Sequence, residues 1–389
     1  MSLPLTRNRI QSIDILRGLI MVIMAIDHVR DFFHSQAMVQ DPLNPETTTP
    51  VLYFTRWITH LCAPLFVFLS GTSAFLVGQR KSKGELSRFL ITRGLWLILI
   101  EVTIVTFGMA FDPEFRFIIL GVIWAIGISM VLLGILIWLP FTVILTLGII
   151  IVFGHNILDL KGAASIQQNS PFIGFSHRPT FIPLGGDRLL MSLYPFLPWT
   201  GIMMLGYCIG KWFVPSVDAV VRRKRLLVLG SGLIIMFFIL RAVNAYGDPL
   251  PWKSYGNAVG TFMSFMNVQK YPPSLLFASI TIGIGMLLLV LFETKTNRLT
   301  SILNIYGRVP LFYFVVHFYV IHLLTIAAFY IAGYTDSQIR TPNFFILFRP
   351  PEFGYPLWAV YLIWFALVVM LYPLCKWYNN YKSTHRQWW

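Results

Sequence analysis

Apolar runs recur along this chain at 14–34, 52–78, 91–109, 117–138, 140–155, 193–213, 226–243, 274–292, 309–333 and 356–375. About 20 apolar residues cross a bilayer as a helix, and hydrocarbon forces backbone polar groups to pair within the element. The runs therefore predict an all-α, polytopic transmembrane helical bundle of about ten spans. Composition agrees: 56% of the 389 residues are hydrophobic and 12% are charged, against about 25% charged in an ordinary soluble domain. Mean hydropathy is +0.69. With no repeat and no composition shift, residues 1–389 read as a single membrane domain. The first residues, MSLPLTRNRIQS, carry no apolar stretch followed by a small-residue cleavage site, so no removable leader is expected.

A net charge of +14 raises the question of nucleic acid, and its distribution answers it. On the ten-span reading, 18 lysines and arginines fall on one side and 11 on the other, with Arg17 set apart. The positive-inside rule then places both termini inside, N-in/C-in, and explains the basic charge by topology. No nucleic-acid partner is expected; the lipid bilayer is. Cys62, Cys208 and Cys375 lie in or beside apolar runs without CxxC or Cys/His ligand spacing, so neither a disulfide framework nor a metal site is expected. The absence of any Asn-x-Ser/Thr acceptor fits a bacterial cytoplasmic (inner) membrane, multi-pass.

The first run is the unusual one. DILRGLIMVIMAIDHVRDFFH (14–34) is apolar from Gly18 to Ile26, yet Asp14 and Arg17 stand at one end and Asp27, His28, Arg30 and Asp31 at the other. Eleven helical residues return to nearly the same face, so Arg17 and His28 share a stripe and stand about 16 Å apart along the axis. Asp27, Asp31 and His34 form a second stripe. Ionisable groups at membrane depth face a bundle interior or a watery cavity. An alternative stays open, in which Arg17 snorkels to headgroups and the Asp27–Asp31 cluster pairs with itself.

Asp14-x-x-Arg17-Gly18, an apolar run and then His28 resembles the first-span signature of the integral-membrane acyltransferases. The pieces HLCAPLFVFLSG (60–71), YPFLPWTGIMMLGYCIG (194–210), KYPPSL (270–275) and YGRVPLFYFVVH (306–317) extend the resemblance over nearly the whole chain. It is nearer to the bacterial relatives of heparan-α-glucosaminide N-acetyltransferase than to the acyltransferase-3 group. The resemblance implies transfer of an acetyl group from cytoplasmic acetyl-CoA to a carbohydrate-like acceptor, an amino sugar or envelope glycan, at the outer side. In the acyltransferase-3 pattern the histidine ending the first span is catalytic, and His28 stands there. In the lysosomal enzyme the histidine lies further on, in the first outside loop, which keeps His34 open as the base.

Acyl transfer needs a base for the acceptor's proton and donors for the oxyanion. His28 suits the first role, with Asp31 or Asp27 orienting its ring. His60, at the outer end of the second span, is the candidate second polar group. Tyr313 and His317 form an i, i+4 pair in the ninth span and are expected to line the cavity; His322 points about 140° away from His317 and is expected to be structural. Arg17, Arg80, Lys81, Arg93 and Arg308 are candidates for the phosphates of the donor, and Asp14 and Arg30, at the two ends of the first span, are further candidates for binding substrate or donor. Glu101 is an intramembrane acid that needs a partner on another helix. Trp199 and Trp252 are placed in outside loops, where they suit sugar stacking or an aromatic belt. Two rival functions stay open, a secondary transporter of a small polar molecule and an O-acetyltransferase of the acyltransferase-3 type. A homo-oligomer is left open as well.

Overall fold

The computed structural model describes residues 10–37, 39–160, 171–294, 297–341 and 344–385. The ends of the predicted inner segments (1–9, 386–389) and part of the predicted outer loop 156–192 (161–170) lie outside the described residues. In chain order the helices are α1 (Gln11–Phe33), α2 (Pro50–Ile58), α3 (Cys62–Gly78), α4 (Lys83–Ile100), α5 (Thr106–Ala110), α6 (Val122–Leu136), α7 (Phe141–Gly154), α8 (Pro171–His177), α9 (Phe196–Ile209), α10 (Ala219–Val243), α11 (Ala258–Met266), α12 (Leu275–Thr294), α13 (Arg298–Arg308), α14 (Pro310–Ile331) and α15 (Leu357–Thr384).

A helix stands at each of the ten apolar runs. Among the described residues, seven helical stretches are long and apolar enough to cross a membrane: Pro50–Gly78, Lys83–Ala110, Phe141–Asp159, Ala219–Val243, Leu275–Thr294, Pro310–Ile331 and Leu357–Thr384. The other three depart from that standard for physical reasons. α1 carries the charges described above, while α6 and α9 have only 15 and 14 residues.

The all-α expectation needs one correction. Phe117–Leu120, read as the beginning of a span, is a strand, β1. It pairs in parallel with β3 (Arg188–Ser192), which pairs antiparallel with β2 (Thr180–Gly185). Because FIIL runs straight into the apolar VIWAI of α6, hydropathy alone cannot separate strand from helix there. The β2–β3 turn uses Gly185 and Gly186 at φ of +95° and +63°, a region that glycine enters without steric cost.

Helix starts follow local chemistry. Thr49 Oγ1 accepts from Leu52 N–H at 3.3 Å ahead of Pro50, and Ser82 with Glu85 forms a capping box at the start of α4. Asn297 and Thr300 do the same for α13. Between α4 and α5 the helix widens to a π-turn over Glu101–Val105, where Glu101 Oε1 accepts from Gly121 N–H at 2.7 Å, just ahead of α6. The partner expected for Glu101 on another helix is thus a main-chain amide at a helix start.

Glycines set the closest crossings. A Cβ on Gly18 would lie 1.8 Å from the Leu303 carbonyl oxygen, and one on Gly307 1.7 Å from the Asp14 carbonyl oxygen, so α1 and α13 cross backbone against backbone. α3 and α9 interlock likewise, with a Cβ on Gly71 2.0 Å from Met203 O and one on Gly206 2.1 Å from Phe68 O. Small residues permit such approaches in membrane bundles. The prediction is that Gly307→Ala, which forces the α1–α13 crossing apart, lowers stability by about 1–3 kcal/mol or more, read as the unfolding midpoint in detergent. Gly84→Ala, with nothing within 4 Å of the new methyl, is the control. Equal midpoints for the two variants would contradict the crossing.

Candidate active site

Two polar regions lie along α1, one toward each end. Near its start, Arg17 donates through Nη2 to the Leu69 carbonyl at 2.9 Å and to Ser73 Oγ, and through Nη1 to Asp14 Oδ1 at 3.4 Å. Asp14 Oδ2 lies 4.0 Å from Arg308 Nε. Arg17 and Arg308 stand on the wall of a cavity of about 1950 Å³, which Lys81, Arg88, Arg93 and Lys382 also line. Glu85, the acidic residue of that lining, is committed to its capping box with Ser82. Lys81 and Arg93 both approach the Phe89 ring, at 5.9 and 5.8 Å from its centroid. The same cavity has apolar walls at Met21 of α1, Ile123, Ile126 and Met130 of α6, and Phe314 of α14. Ordinary ligand pockets measure roughly 300–1,000 Å³. This one is larger, with both cationic and apolar side chains in its lining. Arg80, one of the expected donor-binding residues, is not in the lining.

The second region begins at Asp27. One carboxylate oxygen accepts from Arg30 Nη2 at 3.0 Å and the other from Arg56 Nη1, while Arg30 Nη2 also reaches Asp31 Oδ1 at 2.6 Å. Arg56 Nη1 donates to Thr59 Oγ1 at 3.0 Å as well. Two guanidiniums therefore bracket one buried carboxylate, an arrangement that holds α1 to α2. His28, half-buried, turns to the α14 side. Its ring centroid lies 5.2 Å from His317, 4.4 Å from Phe318 and 6.4 Å from Phe314. Phe314 thus belongs both to the cavity wall and to the packing around His28. Tyr313 stacks on His317 at 5.6 Å and 3°, and its buried hydroxyl has no hydrogen-bond partner among the described residues.

The remaining expected residues are spread around this core. His60 is buried against Phe277, 5.2 Å between ring centroids, with both ring nitrogens unpartnered among the described residues. The charges of Arg56, Lys270, Asp27 and Arg30 act on it. His34 ends α1: its Nδ1 accepts from Gln36 N–H at 3.3 Å and its main chain bridges Tyr355. Arg349 closes the same helix end, donating to the carbonyls of Asp31 (2.9 Å), His34 (2.7 Å) and Ala37 (3.2 Å). His322 spans the carbonyls of Met109 and Leu347 at 3.1 and 3.2 Å, a packing contact. Trp199, expected in an outer loop, is instead fully buried on α9 against Tyr194. Trp252 donates Nε1 to the Arg241 carbonyl at 2.9 Å.

Sequence reasoning missed Arg56, Tyr194, Lys270 and Tyr271 as a group. Tyr194 OH and Tyr271 OH are 3.4 Å apart, Lys270 Nζ sits 5.1 Å from the Tyr271 ring, and the charge of Arg56 reaches both tyrosines. The segment holding Lys270 and Tyr271 is anchored from outside: Arg241 donates to the carbonyls of Leu250, Ser264, Phe265 and Asn267, and Asp248 accepts from Gln269 N–H and Ser274 Oγ. Burial pushes the Asp248 carboxyl above its ordinary range. The fragments YPFLPW and KYPPSL held the signal, since each carries one of the two tyrosines. Arg88 and Lys382, also missed, join the cavity from the solvent-facing ends of α4 and α15.

Against this geometry, the family model described as heparan-alpha-glucosaminide N-acetyltransferase, catalytic, matches residues 9–239. The chain belongs to this family. It is a multi-pass membrane acyltransferase. No curated protein matches closely enough to add to that. The family match spans Arg17, Asp27, His28, Arg56, His60, Arg93 and Tyr194, whereas Lys270, Arg308, Tyr313 and His317 come from beyond it and complete the site through the fold.

Removing one partner of a buried ion pair leaves the others uncompensated. Asp27→Ala is therefore expected to cost about 3–5 kcal/mol, measured by unfolding in detergent, because Arg30 and Arg56 lose their shared carboxylate. A change below about 1 kcal/mol, the range of an exposed pair, would show that the bracket contributes little.

Proposed function

We propose that this acyltransferase takes an acetyl group from acetyl-CoA bound in the basic cavity at the cytoplasmic side. It passes the acetyl to an amine or hydroxyl of a carbohydrate-like acceptor, an amino sugar or envelope glycan, at the opposite side. The observation that carries the reading is the lining of the cavity: it joins the cations Arg17, Lys81, Arg88, Arg93, Arg308 and Lys382 to apolar residues that include Phe314, which packs on His28. The ten-span, N-in/C-in arrangement in a bacterial inner membrane accompanies it, supported by the uneven distribution of lysine and arginine.

In this reading Arg17, Lys81, Arg88, Arg93, Arg308 and Lys382 hold the phosphates, where charge-assisted hydrogen bonds are strongest. The extended arm then follows α1 along the roughly 16 Å between Arg17 and His28. His28 removes the acceptor's proton as its nitrogen or oxygen attacks the thioester carbonyl. The carbon–sulfur bond breaks and the thiolate takes the proton from His28, so atoms and charge balance. Tyr313 OH and the Arg56 guanidinium are the donors available to an oxyanion. Asp27, Asp31 and Arg30 keep the helix end that carries His28 in place, and His60 faces the acceptor side of the same charged group.

Two outcomes test the reading. With purified protein, acetyl-CoA and an amino-sugar acceptor, Arg93→Ala or Arg308→Ala should raise KM for acetyl-CoA about tenfold, equivalent to about 1.4 kcal/mol, while leaving kcat near normal. His28→Ala should abolish transfer while acetyl-CoA still binds. If His28→Ala transfers normally and His34→Ala does not, the base is the residue at the end of α1. For topology, a cysteine introduced at 185 should react with an impermeant label added from outside and one at 84 should not; the reverse result would invert the assignment.

A further inference from the structure

His28 needs a neighbour to hold its ring, and the carboxylates nearest in sequence are engaged elsewhere. Both oxygens of Asp27 are taken by Arg30 and Arg56, and Oδ1 of Asp31 is taken by Arg30. On the other side stands His317, fully buried on α14. Its Nδ1 lies 2.5 Å from the Phe314 carbonyl and 3.2 Å from the Tyr313 carbonyl. A carbonyl only accepts, so Nδ1 carries the ring proton and Nε2 keeps its lone pair. That Nε2 is buried and has no hydrogen-bond partner among the described residues. Tyr313 stacks flat on the ring, and Phe318 packs 4.3 Å from His317 and 4.4 Å from His28.

We propose that His317 is the positioning partner of His28: its unused Nε2 accepts the N–H of the His28 ring and leaves the other His28 nitrogen free to act as base. The inference rests on the reading of His28 as the base and deepens it. A centroid separation of 5.2 Å with a 53° tilt is close enough for facing ring nitrogens to come within about 3 Å. Catalytic hydrogen bonds that are long without substrate often tighten when substrate is bound. Which imidazole nitrogen is basic is set by the bond the other one makes, and a neutral histidine performs this without adding a second buried charge beside His28. The main-chain bond at Nδ1 is what makes His317 an acceptor, since it fixes the proton on the far side of the ring. The spent carboxylates and the empty lone pair therefore point to the same pair.

The experiment compares His317→Phe, which keeps a ring of similar size but has no acceptor, with His317→Gln, whose amide oxygen restores one. Acetyl-CoA binding and transfer are measured on the full-length protein in detergent. His317→Phe should lower kcat about 10²-fold, the size of a general-base contribution, with KM for acetyl-CoA changed by no more than about twofold. His317→Gln should recover about tenfold of that loss. Adding His317→Phe to His28→Ala should cost nothing more, because two residues that act as one unit are not additive. Near-normal kcat in His317→Phe, or equal loss in the Gln and Phe variants, overturns the partnership; with His28→Ala inactive, the base assignment then stands. Normal transfer by His28→Ala removes the base assignment itself, and the partnership falls with it.

Discussion

α1 carries Asp14, Arg17, Asp27, Arg30 and Asp31 into a bundle whose outer surface is hydrocarbon-facing, and a charge exposed there costs several kcal/mol. The rest of the molecule is arranged to hide that helix. α13 crosses it at Gly18 and Gly307 with no room for a Cβ, α3 supplies Leu69 O and Ser73 to Arg17, and α2 supplies Arg56 to Asp27. Arg349 then closes the end of the helix with three hydrogen bonds to carbonyls, where a cation also meets the negative end of the helix dipole. Packing around α1 and satisfaction of its charges are therefore one problem with one solution.

That solution leaves polar chemistry at both ends of one helix and an apolar middle between them. At the basic end the charges open to a cavity; at the other they are paired and buried. Phe314 and Phe318 lie between, packed on His28 and His317. In the proposed reaction this would keep a highly charged donor on its own side and let only a slender arm approach His28. The tyrosines of two distant loop fragments, Tyr194 and Tyr271, meet within reach of the Arg56 charge. The segment of Tyr271 is held by bonds at Arg241 and Asp248, and Tyr194 by its main-chain bond to the Leu120 carbonyl.

Much of this was legible in the sequence because hydropathy reports burial in lipid directly: a helix stands at each of the ten apolar runs. The charges within the first run announced a polar site by their cost. What stayed hidden was of four kinds. β1 was lost because a buried strand and a buried helix look alike in an uninterrupted apolar run. Arg56 was lost because its meaning lies in the position of Asp27, 29 residues away, and no local period connects them. α13, which supplies Gly307 and Arg308, is amphipathic and polar on average, so it left no hydropathy signal. The stacking of Tyr313 on His317 follows from their i, i+4 spacing, but the free Nε2 of His317 depends on its bonds to the Tyr313 and Phe314 carbonyls, which only coordinates show.

In the proposed reaction the donor enters from the basic end and brings its acyl carbon to His28. A structure of the full chain with a non-transferable thioether analogue of acetyl-CoA tests it most directly. Phosphates are expected among Arg93, Arg308 and Lys382, with the arm running along α1 and the acyl end beside Phe314 within reach of His28. Phosphates seated instead at Lys270 and Arg56, or an acyl end turned away from Phe314, would contradict it.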